Sequence, residues 1–181
     1  MRLLLLDRDG VLNEDRPDSV RSPDALVMIP GAAAAVARVN AAGIPVAVVT
    51  NQSVIGRGIV SPELLERIHD RVRDALHREG GRIDAWFVCP DAPDRATDRR
   101  KPGAGMLHEA LRRFRVAPDD ATMIGDAATD LEAARAAGCR RVLVRTGKGA
   151  ATQARGIAPH LLPVAVHADL AAAVTALLAR G

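Results

Sequence analysis

Short, continuous aliphatic runs recur along this chain, and helical patterns fill the intervals between them. Residues 3–6, 44–50, 83–89, 122–125 and 141–145 read as strands, with a weaker candidate at 161–166. Runs that lack a polar residue at every second position suit strands covered on both faces. The intervals carry readable helix signals. One helix is expected over 31–42, stopped by Gly43, since glycine is favoured just past a helix end. Ser61, Pro62 and Glu63 supply an N-cap, a first-turn proline and an early acid. They precede an apolar face of Leu64, Leu65, Ile68, Val72, Ala75 and Leu76. Met106, Leu107, Ala110, Leu111 and Phe114 mark another stripe, Asp126 is placed to cap 127–137, and Leu170, Val174, Leu177 and Leu178 mark a last helix. Strict β-α alternation predicts a three-layer, Rossmann-like α/β fold with a mainly parallel sheet. At 181 residues the chain is expected to form one domain over 1–181, large enough for a sizeable core.

Several function classes fall away on composition. Net charge is +3, but the cations are scattered, and aromatic residues make up 2% of the chain. A nucleic-acid partner is therefore not expected, because there is no basic arm and stacking residues are nearly absent. No run approaches the roughly 20 apolar residues of a membrane span, and Asp7 interrupts the N-terminal leucines too early for a signal-peptide core. Cys89 and Cys139 form no recognisable metal pair and read as buried thiols of a reducing, cytoplasmic protein. His69 and His77 read as helix-surface residues.

Function enters where the strands end. In open α/β sheets ligands bind beyond the carboxyl ends of the strands. The first strand delivers Asp7 and Asp9, the second Thr50, Asn51, Gln52 and Ser53, and the fourth Asp126, with Asp130 one helical turn on. Lys101 and Arg100 stand just before a helix. Carboxylates that repel one another can be held together by a hard divalent cation, and Mg²⁺ uses such oxygen ligands together with phosphate. Other phosphate and metal motifs do not fit. The segment from Asp7 has no glutamate at its twelfth position, as an EF-hand would require. Residues 145–150 lack the first Walker glycine, and no H-E-x-x-H pair occurs. Lysine usage adds weight to Lys101. Of 25 basic residues only Lys101 and Lys148 are lysines, and a compact ammonium suits a crowded phosphoryl site better than a planar guanidinium.

With these residues placed, the chain resembles the haloacid dehalogenase (HAD) superfamily of phosphotransferases. Its four motifs appear as LLLLDRDGVLN, VAVVTNQSVIGRG, RRKPGAGM and MIGDAATDLEAARAAG. Together with VLVRTGKG they look most like the heptose bisphosphate phosphatases, which group with the histidinol-phosphate phosphatases. The resemblance implies an HAD-type fold without a large cap domain, acting on a small phosphorylated sugar, and a monomer is expected. It implies Asp7 as nucleophile and Asp9 as general acid and base. Mg²⁺ would be held by Asp7, the main-chain carbonyl of Asp9, and Asp126. Thr50 and Lys101 would meet the phosphoryl group, and Asn51, Gln52, Ser53 and Arg100 the rest of the substrate. A histidinol-phosphate phosphatase is the second reading, followed by a polynucleotide 3′-phosphatase and a non-catalytic phosphate binder. Two departures stand out. Relatives carry zinc ligands in the loop before the lysine motif, whereas here only Cys89 remains, with Asp91, Thr97 and Arg99 at the other positions. No structural zinc is therefore expected. The Gly-Tyr-Val substrate loop of relatives reads Pro17-Asp18-Ser19.

Overall fold

A computed structural model describes residues 1–179 of the protein. Six parallel strands form one sheet in the order β3-β2-β1-β4-β5-β6: β1 (Leu3–Leu6), β2 (Val46–Asn51), β3 (Ala85–Cys89), β4 (Ala121–Gly125), β5 (Arg140–Val144) and β6 (Ala165–His167). The helices are α1 (Ala32–Ala41), α2 (Ser53–Gly56), α3 (Pro62–Arg78), α4 (Gly105–Phe114), α5 (Ala128–Ala136), α6 (Gly149–Ala154) and α7 (Leu170–Leu178).

The leucine run explains the three layers. Leu4 and Leu6 pack into one core, and Leu3 and Leu5 into the other. All four are fully buried, each contributing about 1.5–3 kcal/mol by burial. The first core is closed by α1, α3 and α7 through Val36, Val39, Ile68, Val72 and Val174. The second is closed by α4 and α5 through Met106, Leu107, Ala110 and Ala134. Strand order reverses between β1 and β4, which pair from Leu3↔Ala121 to Leu6↔Ile124. A crevice opens beyond such a reversal, at the carboxyl ends of the strands.

The sequence expectations differ from the structure in three places. Residue 161 belongs to a short 3-10 turn and β6 is only three residues long, so the last strand starts four residues later than expected and overlaps the expected one only at its end. Residues 13–29 form a closed loop. Its ends pair through Glu14 N–H to the Val27 carbonyl at 2.8 Å and Ile29 N–H to the Leu12 carbonyl at 2.9 Å. Asp126 does not cap α5. Asp130 Oδ2 takes that role, accepting from the Ala127 N–H at 3.0 Å. His69 is not on the surface. It is 1% exposed, because it lies four residues after Leu65 and three before Val72 on the buried stripe of α3.

Candidate active site

Beyond Leu6 the chain turns sharply. The Arg8 carbonyl accepts from the N–H groups of Val11, Leu12 and Asn13 at 2.8–3.3 Å. This hook places Asp7 under the crevice and Asp9 at its wall, lining a cavity of about 340 Å³ with Asn51, Gln52, Ser53, Arg100, Lys101 and Asp126. Thr50 is buried beneath them. Its Oγ1 accepts from Gln52 Nε2 at 2.9 Å, which leaves its own O–H free to donate. Asn51 clasps the Lys101 main chain, donating to its carbonyl at 2.9 Å and accepting from its N–H at 3.1 Å.

Lys101, 3% exposed, joins the carboxylates. Its Nζ meets Asp130 Oδ1 at 2.6 Å, Asp7 Oδ1 at 3.1 Å and the Val49 carbonyl at 2.8 Å. Burial disfavours the ammonium, but the Asp130 and Asp7 carboxylates outweigh it and push Lys101 above its ordinary range. At Asp9 burial likewise opposes charge. Arg8, helped by Asn13 and Gln52, outweighs it and holds the carboxyl below its usual value.

Asp7, Asp126 and Asp130 present carboxylate oxygens within 4.8 Å of one another. Asp126 sits in a cradle that two glycines leave open. A Cβ at Gly10 (φ +80°) or at Gly147 (φ +55°) would come within 2.1 Å of Asp126 Oδ2. That oxygen instead accepts from the Lys148 N–H at 2.7 Å. The Asp9 side chain is filled with protein donors, while its main-chain carbonyl accepts no hydrogen bond among the described residues. Two carboxylates and a free carbonyl, all oxygen donors, suit Mg²⁺.

Burial, opposed by Lys101, pushes Asp7 up to about 7, with Asp130, Asp126 and Asp9 adding to the rise. Burial pushes Asp126 up to about 6. Both folded values exceed the unfolded ones, so the folded protein holds extra protons between about pH 4 and pH 7, and metal-free stability falls as pH rises through that window. A bound cation requires the ionised forms. The unfolding midpoint of metal-free protein is therefore expected to drop from about pH 5 to about pH 8, and Mg²⁺ to raise it more at the higher pH. Scanning fluorimetry with and without Mg²⁺ checks this, and an equal Mg²⁺ shift at both pH values contradicts it.

Three lining residues carried no sequence signal strong enough to place them: Asp15, Arg16 and Lys148. Lys148 Nζ pairs with Asp15 Oδ2 at 3.2 Å across the mouth. The rarity of lysine could have flagged it.

A family model described as HAD-hydrolase-like matches residues 98–173. The D-glycero-beta-D-manno-heptose-1,7-bisphosphate 7-phosphatases of Bordetella bronchiseptica and Pseudomonas aeruginosa are each 42% identical to the chain. The Bordetella match covers 98% of both chains and the Pseudomonas match 97%. The chain belongs to the heptose bisphosphate phosphatase family. The Bordetella bronchiseptica phosphatase has been solved in complex with magnesium and phosphate. It matches at a TM-score of 0.96 with 41% identity, covering all of both chains. The Burkholderia thailandensis heptose bisphosphate phosphatase matches at 0.77 with 38% identity, over 98% of this chain and 99% of that one.

In this family member the loop at 90–99 has its own fastening. Asp91 Oδ2 accepts from the Thr97 N–H at 2.8 Å and from its hydroxyl at 2.5 Å. Arg99 pairs with Glu109 at 3.0 Å, and the Asp91 carbonyl accepts from Arg100 Nη1 at 2.8 Å. One thiol beside an engaged carboxylate does not make a tetrahedral zinc site. Elemental analysis is expected to show no stoichiometric zinc. One zinc per chain, lost together with stability on chelation, contradicts this.

Proposed function

We propose that the chain is a Mg²⁺-dependent phosphoric monoester hydrolase that removes the 7-phosphate of D-glycero-β-D-manno-heptose 1,7-bisphosphate. The observation that carries this is the convergence of Asp7, Asp9, Asp126 and Lys101 on one cavity, in a chain whose full-length relatives bear that activity.

Asp7 is the nucleophile. The Arg8 N–H at 2.7 Å and Lys101 both contact its Oδ1, leaving Oδ2 to attack phosphorus and form an aspartyl-phosphate. Asp9 takes a proton from the incoming phosphate monoester monoanion and delivers it to the departing sugar oxygen. It then takes a proton from the water that attacks the phosphorus of the intermediate, releasing phosphate and restoring Asp7. Lys101 and the Thr50 hydroxyl stabilise charge on the phosphoryl oxygens. Mg²⁺, which Asp7, the Asp9 carbonyl and Asp126 would hold, supplies positive charge where phosphoryl oxygens and carboxylates gather. Arg100, Asn51 and Ser53 hold the remainder of the substrate, with Arg16 and Lys148 as further cations at the rim. Gln52 is largely buried and bonds Asp9, so its main service is to that carboxyl rather than to the sugar.

The chain works as one domain and as a monomer in the cytoplasm, without nucleic-acid or membrane partners. Among the described residues the large apolar side chains exposed are Val27, Ile59 and Leu162. Among the described residues no helix is long and apolar enough to cross a membrane. Phosphate release from both heptose bisphosphate anomers, histidinol phosphate and a 3′-phosphorylated oligonucleotide tests the assignment. The β anomer is expected to have the highest kcat/KM. A higher value for histidinol phosphate or the oligonucleotide overturns it.

A further inference from the structure

Arg8 separates Asp7 from Asp9 in sequence and is 0% exposed. Its guanidinium is directed to one of them. Nη2 donates to both Oδ1 and Oδ2 of Asp9 at 2.9 Å, and Nε to Oδ1 at 3.3 Å. Asn13 Nδ2 adds a donor to Oδ1 at 2.8 Å and Gln52 Nε2 one to Oδ2 at 2.9 Å. Both oxygens are thus gripped from three side chains, which leaves the Asp9 carboxyl a single place to be.

The Arg8 charge also acts on His69, a member of an aromatic pair. His69 is stacked on Trp86 at 4.3 Å between centroids, and Arg73 covers the same indole at 5.2 Å. Burial, reinforced by the Arg8 charge, keeps His69 neutral. Among the described residues, the carboxylate paired with Arg8 is that of Asp9. The fit is poor as mere filling, because Arg8 Nη1 and His69 Nε2 are both buried without a partner, and unpaired buried polar groups are unfavourable. A buried ion pair kept for stability alone can be replaced whole by apolar side chains of similar volume. Arg8 is also absent from the cavity wall, whereas Asp9 lines it. The guanidinium therefore acts on Asp9 and not on substrate.

We propose that Arg8 is the positioning residue of the general acid, its buried guanidinium fixing the Asp9 carboxyl at the cavity wall where the bridging oxygen of the phosphate ester takes up its proton. This rests on the reading of Asp9 as that acid. Aligned proton transfer matters most for a poor leaving group. A sugar alkoxide needs the proton, and 4-nitrophenolate does not. The test compares kcat/KM on heptose bisphosphate and on 4-nitrophenyl phosphate, because kcat/KM reports phosphoryl transfer to Asp7 rather than the later hydrolysis.

Arg8→Met is expected to lower kcat/KM for the sugar phosphate on the order of 10²-fold and that for the aryl phosphate less than about fivefold. Arg8→Lys, which keeps the buried charge and one directed donor, should recover part of the loss. In an Asp9→Asn background Arg8→Met should cost nothing further on the sugar phosphate. Equal losses on both substrates, or full additivity with Asp9→Asn, make Arg8 a structural ion pair and overturn the proposal. If Asp9→Asn alone shows no leaving-group dependence, the assignment of Asp9 is what has failed, and the proposal falls with it. Should Arg8→Met not fold, Arg8→Lys decides alone. It must show the same uneven loss in smaller measure, and an even loss overturns the proposal.

Discussion

Asp7→Asn is expected to abolish turnover, by on the order of 10⁴-fold or more, the scale of losing a covalent nucleophile. An amide cannot attack phosphorus as the carboxylate does, and the change also takes one charged ligand from the metal site. The same substitution should leave the fold intact. Asp7 is pushed up to about 7, chiefly by burial, with neighbouring carboxylates adding to the rise, so its ionised form is disfavoured in the metal-free protein. Lys101 keeps its 2.6 Å contact with Asp130. The metal-free unfolding midpoint should therefore hold or rise at about pH 8, where the wild-type carboxylate is charged. Retention of more than a few per cent of activity (about 1–5% on the scale of lost nucleophiles) by purified, folded Asp7→Asn contradicts the role.

The second large effect is at Lys101, where catalysis and stability separate. Lys101→Ala should lower kcat by about 10²–10³-fold, the scale of a lost transition-state donor. It should also destabilise the protein by about 3–5 kcal/mol, because Asp7 and Asp130 are left buried without their cation. Lys101→Arg should recover much of the stability and little of the rate. The ammonium sits between Asp7, Asp130 and the Val49 carbonyl, and a larger planar guanidinium cannot reproduce three converging contacts from one nitrogen. Kinetics well below each unfolding midpoint, paired with denaturant melts, check both halves. Full kcat in Lys101→Arg shows that any positive charge suffices and contradicts the account.

Much of this was legible because it follows from local rules. The buried leucines of β1 announce a strand covered on both faces, and Asp7, Asn51 and Asp126 then fall at strand ends. What stayed illegible depends on contacts between distant segments. Asp126 reads as an N-cap because an aspartate precedes a helix. Only the approach of Gly10 and Gly147 makes room for its Oδ2 and gives it the Lys148 N–H, leaving the α5 cap to Asp130. Arg8 carries no signal of its own between two aspartates, and its burial appears once the chain hooks on the Arg8 carbonyl. His69 was a fault of period rather than of distance. It lies four residues after Leu65 and three before Val72 on the buried stripe of α3, a spacing that its polarity masks. Edge strand β6 is short and half-exposed, so the pull of Leu161 and Leu162 misled the pattern.

The most direct measurement is ³¹P NMR of D-glycero-β-D-manno-heptose 1,7-bisphosphate with the protein and Mg²⁺, run beside Asp7→Asn. The account predicts that the 7-phosphate resonance disappears as inorganic phosphate grows, that the anomeric 1-phosphate persists, and that the Asp7→Asn spectrum does not change. Loss of the 1-phosphate first, or equal conversion by Asp7→Asn, would contradict it.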